Sequence, residues 1–135
     1  MAGPGRPYCP SGVAVKVVSL NDNGRSARVA TVAVTGDATT RRGLRTLIGR
    51  DYQVVPLADD LTMLTQDQVD EFCPVNWPAM RVADRFAGPE HVPGVVAGPV
   101  VFTGAKPTSG VSQARLGWLL GQLVRDGVYI AEQPD

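Results

Sequence analysis

The strongest constraint on this chain is an alternation of two kinds of apolar run, each closed by glycine, proline or an Asn/Asp turn. Val13 to Val18 with Leu20 make a β-branched run, Asn21-Asp22-Asn23-Gly24 follows, and Val29 to Val34 make a second run. β-Branched side chains suit a pleated strand, and Asn-Gly accepts the positive φ of a tight hairpin turn. The chain is therefore expected to open on an antiparallel pair. At Leu44, Leu47 and Ile48 the period changes to that of a helix, with Asp37 or Thr39 as its cap. Arg41, Arg42 and Arg45 fall off this stripe, and Gly49 suits a left-handed helix end.

Tyr52 to Leu57 and Leu61 to Leu64 read as a second strand pair joined through Ala58-Asp59-Asp60, with Pro56 favouring a sheet edge. Gln66 to Glu71 is polar and reads as a loop. Asn76 is a good cap for a helix carrying Pro78 in its first turn and Ala79, Val82, Ala83 and Phe86 on one face. Val95 to Phe102 is apolar on both faces, which predicts a buried strand bent at Gly98-Pro99. Ser112 caps a third helix with Leu116, Leu119, Leu120 and Leu123 as its stripe, and Val128 to Ile130 add a short strand. Gly117 and Gly121 each weaken that helix by ~1 kcal/mol relative to Ala, which predicts a close neighbour there.

The fold class expected is α+β, with a small mixed or antiparallel sheet and three helices in one domain. With 135 residues, 44% of them apolar and 19% charged, the chain is long enough for one core and is not disordered by composition. Residues 1–11, with Pro4, Pro7 and Pro10, read as an irregular arm, and 12–131 as the domain. The core is expected to hold Val15, Val17, Val32, Leu44, Leu47, Ile48, Val55, Val82, Phe86, Val100, Phe102, Leu116, Leu119, Leu120 and Leu123. The start has no apolar signal-peptide core, and no run approaches the ~18 apolar residues of a membrane span, so the expected location is cytoplasmic. Cys9 and Cys73 form no CxxC pair; they are two free thiols or one bridge.

Thirteen basic and thirteen acidic side chains cancel. A protein that wraps nucleic acid ordinarily carries a basic excess, so the balance disfavours that class without excluding a basic patch. Catalytic signals are sparse. His91 is the only histidine, so a Cys–His or Ser–His–Asp arrangement would have to run through it. Asp59-Asp60 suits turn chemistry, and Asp67, Asp70 and Glu71 lack the spacing of an EF-hand. No phosphate-loop motif is present, although Gly104 to Gly110 holds Lys106 and hydroxyls that suit a loose anion nest. No catalytic residue, metal ligand or cofactor is assigned, and the chain is expected not to be an enzyme.

The most suggestive set is Arg41, Arg42, Arg45 and Arg50, four guanidinium groups within ten positions, three of them at i, i+3 and i, i+4 spacing. Asp37 and Asp51 flank the set and partly neutralise it. Trp118 lies off its helix's leucine stripe, either at the rim of the core or exposed as a partner anchor.

Several stretches together carry a resemblance. They are the early Val-Lys-Val-Val-Ser-Leu strand, Leu44 to Gly49 running into Tyr52 to Leu57, the helix of Asn76, Ala79 and Ala83, and Val96 to Gly104 followed by a helix. Residues 13–125 in this order resemble the domain of unknown function 3846 family, small proteins of phages and mobile elements. Asn76-Trp77-Pro78-Ala79-Met80 departs from the more basic stretch of that family. The resemblance implies a fold and an actinobacterial phage or mobile-element setting, and no activity. The leading expectation is a non-catalytic accessory protein that binds a host protein or a small anionic ligand, with counter-defence a role that fits the setting. Arg41, Arg42, Arg45, Arg50 and Trp118 are the candidate contact residues. The alternatives are a nucleic-acid-associated regulator using the same arginines and a small hydrolase using His91.

Overall fold

The computed structural model describes residues 14–21, 23–33, 37–67, 73–86 and 96–131. The expected arm, Cys9, His91, Asp70 and Glu71 lie outside the described residues. The elements are β1 (Ala14–Leu20), β2 (Ser26–Ala33), α1 (Asp37–Ile48), β3 (Tyr52–Ala58), β4 (Leu61–Gln66), α2 (Trp77–Asp84), β5 (Val100–Thr103), α3 (Gln113–Arg125) and β6 (Tyr129–Ile130). They form one α+β domain with a six-stranded mixed sheet in the order β3-β4-β5-β1-β2-β6. All pairings are antiparallel except β2 with β6, which is parallel.

Alternation along the strands creates two apolar layers. Val17, Ala30, Val32, Leu64 and Val101 meet Leu44 and Ile48 of α1 on one face. Val18, Leu20, Met63, Val100 and Phe102 meet Val82 of α2 and Leu119 and Leu123 of α3 on the other. Successive side chains of a strand point to opposite faces. With helices on both sides, the central strands β1 and β5 are therefore apolar on both. This corrects the expected core, which left out Val18, Leu20, Leu61, Met63, Leu64 and Val101, all fully buried. Val15, Leu47, Phe86, Leu116 and Leu120 sit at its margins, partly buried.

Pro56 does lie on an edge strand. Asp67 N donates to Asp51 O across the end of the β3–β4 pair, which fixes the ladder so that even-numbered β3 residues turn their N–H groups outward. A proline at position 56 thus removes a donor that would face away from the sheet.

The other departures are local. Gly98 has φ +78, so the long apolar run breaks there; only Val100–Thr103 join the sheet, while Ala97 makes an isolated bridge to Val75. Gln66 ends β4 rather than opening a loop, and its buried amide donates to Ile48 O at 3.3 Å while its Oε1 accepts from Cys73 Sγ. β2 starts at Ser26, earlier than its apolar run. Thr39 lies inside α1, so it is not that helix's cap. A Cβ at Gly117 or Gly121 would meet nothing within 4 Å among the described residues, so no close neighbour there accounts for either glycine.

Asn76 joins three segments. It is fully buried; its Nδ2 donates to Gly98 O at 2.9 Å and Asn21 O at 3.2 Å, and its Oδ1 accepts from Ala79 N at 3.3 Å. One side chain caps α2 and ties it to the first hairpin and to the bend before β5. Gly24, φ +74, lets that hairpin approach closely, because a Cβ there would collide with Asn76 Oδ1.

Candidate functional site

The four arginines do not act as one face. All four are exposed, but Arg41 lines one groove, whereas Arg42, Arg45 and Arg50 surround a shallow hollow of about 230 Å³ with Thr46 and Gly49. Their separation follows from helix geometry. Arg42 and Arg45 lie one turn apart on α1, and Gly49, φ +94, ends the helix and turns the chain towards Arg50. Arg45 Nε meets Asp51 Oδ1 at 2.9 Å, which ties the end of α1 to the residue before β3.

The Arg41 groove is larger, about 570 Å³, and four segments build it. α1 supplies Thr40 and Arg41, β3 and the residue before it supply Asp51, Tyr52 and Val54, Asp67 follows β4, and Lys106 to Thr108 close it. The closing loop is tied down by its own backbone. Gly104 N donates to Ser109 O, Ser109 N to Lys106 O and Val111 N to Lys16 O, each at 2.8 to 2.9 Å. Thr62 Oγ1 adds a longer bond to Ala105 O at 3.4 Å. Lys106 thereby lines the same groove as Arg41, on the α1 side of the molecule.

The electrostatics of this groove are uneven. Arg41 and Lys106 make no ion pair or side-chain hydrogen bond with any described residue. Of the two carboxylates, Asp51 is engaged by Arg45, and Asp67 is exposed with no cationic partner among the described residues. The site thus offers two unmatched cations, one acceptor carboxylate and the half-buried ring of Tyr52. Among the described residues there is no group of three His, Cys, Asp or Glu side chains placed to hold a metal ion, and no helix is long and apolar enough to cross a membrane.

Trp118 is not part of this site. It lies on α3, across the sheet, half-buried against the core, with its ring 5.1 Å from that of Phe86 in an edge-on arrangement. Arg115 stacks over both rings at 5.0 and 5.1 Å and forms a two-oxygen ion pair with Asp60, Nη2 to Oδ1 being 2.9 Å. Of the two open expectations for Trp118, the rim of the core is the one realised. Asp60, expected as a solvated turn carboxylate, instead fastens the β3–β4 turn to α3. The exposed tryptophan is Trp77, 60% accessible at the start of α2.

The contribution of Lys106 was legible only as a lysine in a glycine-bounded loop; nothing local pointed it at Arg41. Comparison of the chain with family models, with curated proteins and with solved structures finds no match to any of them.

Proposed function

We propose that this protein is a non-catalytic binding protein whose groove between α1 and the 104–110 loop takes a small anionic ligand. One observation carries the reading: Arg41 and Lys106, far apart in sequence, line the same groove and neither is matched by a described carboxylate. A guanidinium and an ammonium converging on one groove favour an anion, since charge-assisted hydrogen bonds are the strong ones. Asp67 and the Tyr52 ring favour an anion that also carries hydroxyl or amine donors and a flat or apolar part. A nucleotide has that chemistry. The resemblance drawn from the sequence supports a phage or mobile-element setting, in which holding a nucleotide signal or blocking a host effector is a coherent role.

The test is calorimetric titration of the full chain with a panel of mono-, di- and cyclic nucleotides. The reading expects saturable binding of at least one, weakened at least about tenfold by Arg41→Glu and by Lys106→Glu with the melting temperature retained. No binding by any member, or equal binding by both variants, removes the groove from consideration.

The hollow of Arg42, Arg45 and Arg50 favours the nucleic-acid reading as the runner-up. That reading expects affinity for DNA or RNA to fall steeply with salt as counterions are released. A flat salt response sinks it.

A further inference from the structure

A second groove, of about 460 Å³, opens on the α1 side of the sheet, where β1 and β2 run past the end of α1. Its polar lining comes from Ser19, Asn21, Ser26 and Arg28, with Asn21 Oδ1 accepting from Ser26 N, and Leu47 and Pro99 add apolar walls. Register explains why these polar groups converge. Ser19 pairs with Arg28 across β1 and β2 and with Val101 across β1 and β5. Val101 belongs to the α1-side layer, so Ser19 and Arg28 share that face, and Ser26 is two positions before Arg28 on the same face. Tyr129 is in register with Ser26 in the parallel β2–β6 pair and is 67% exposed beside it.

The side chains of Ser19, Ser26 and Arg28 have no partner among the described residues, and Arg28 is exposed. Arg28 makes no ion pair with any described residue, and neither serine hydroxyl has a hydrogen-bond partner among them. Ser19 is only 9% exposed, and it lines the groove. A ligand in the groove would meet all three groups.

We infer that this groove is a binding site for a small organic carboxylate. One guanidinium presents two parallel N–H donors, which match the two oxygens of a carboxylate and neutralise its single charge. A phosphate dianion would retain an unmatched charge beside Leu47 and Pro99, and those apolar walls suit a hydrocarbon body. The two hydroxyls supply further donors to the same oxygens. The site is separate from the Arg41 groove and shares no lining residue with it.

The test is an NMR titration of the isotope-labelled full chain with phenylacetate, phenylacetamide and inorganic phosphate. Phenylacetate is expected to produce saturable shifts at the amides of Ser19, Ser26, Arg28 and Leu47. Affinity is expected to fall at least about tenfold for phenylacetamide and for Arg28→Gln, and several-fold for Ser19→Ala. Arg41→Glu is expected to leave this titration unchanged, which separates the site from the groove proposed above. The inference is overturned if phenylacetamide or Arg28→Gln binds as tightly, if phosphate binds more tightly than phenylacetate, or if phenylacetate shifts none of these amides.

Discussion

The two faces of the sheet are built from the same strands and behave differently. On the α2/α3 face two helices lie over the strands, and the margin is closed by Phe86, Trp118 and the Arg115–Asp60 pair. On the opposite face α1 is the one helix over the strands among the described residues, and its apolar layer is smaller. One helix with side chains is about 10 Å across, whereas adjacent strands are spaced about 4.8 Å apart, so α1 spans only two or three of them. The uncovered remainder becomes grooves. The Arg41–Lys106 groove lies towards the β3 edge and the Ser19–Arg28 groove towards the β6 edge. Incomplete coverage, rather than any motif, leaves these two grooves on this face.

That contrast can be broken from the closed side first. Phe102→Ala removes the largest fully buried side chain from the α2/α3 layer and is expected to cost about 3–5 kcal/mol, measured by denaturant unfolding. A cost near 1 kcal/mol would mean that this layer is loosely packed. Asn76→Ala comes next, at about 2–3 kcal/mol, because it removes the α2 cap and strips the carbonyls of Gly98 and Asn21 of a buried donor. Gly117→Ala has the opposite sign: the new methyl meets open space in a helix interior, and a gain of about 0.5–1 kcal/mol is expected. A loss would show that something covers α3 at that point. On the open face, Arg41→Glu is expected to stay within about 0.5 kcal/mol of the parent by the same measurement, since the residue is exposed and unpaired among the described residues. Its effect belongs to binding.

Much of the fold was legible in sequence because its signals are local. The order of the elements, the Asn23-Gly24 turn, the caps at Asn76 and Ser112, and Pro56 on an edge all follow from backbone preferences within a few residues. The failures occur where a second segment decides. The run through Phe102 read as apolar on both faces, but β-branched composition alone did not say so of β1, and Val18 and Leu20 went unassigned. The apolar run through Ala97 looks like strand, but the bend at Gly98 docks it on Asn76 and Gln66. Gly117 and Gly121 carry no packing reason that the structure reveals.

The candidate sites divide in the same way. The arginine cluster is visible in sequence because helical spacing gathers it, and Asp51 as its neutraliser is visible because it follows Arg50 directly. The separation of Arg41 from the other three, the arrival of Lys106 and the pairing of Ser19 with Arg28 are products of sheet order and register. By itself the sequence determined an α+β chain with six strand-like runs, three helical stripes and a neutral total charge. Only the tertiary structure decided which cations meet a carboxylate among the described residues. Charge pairing is a matter of a few ångströms between segments far apart in the chain, 55 positions for Arg115 and Asp60.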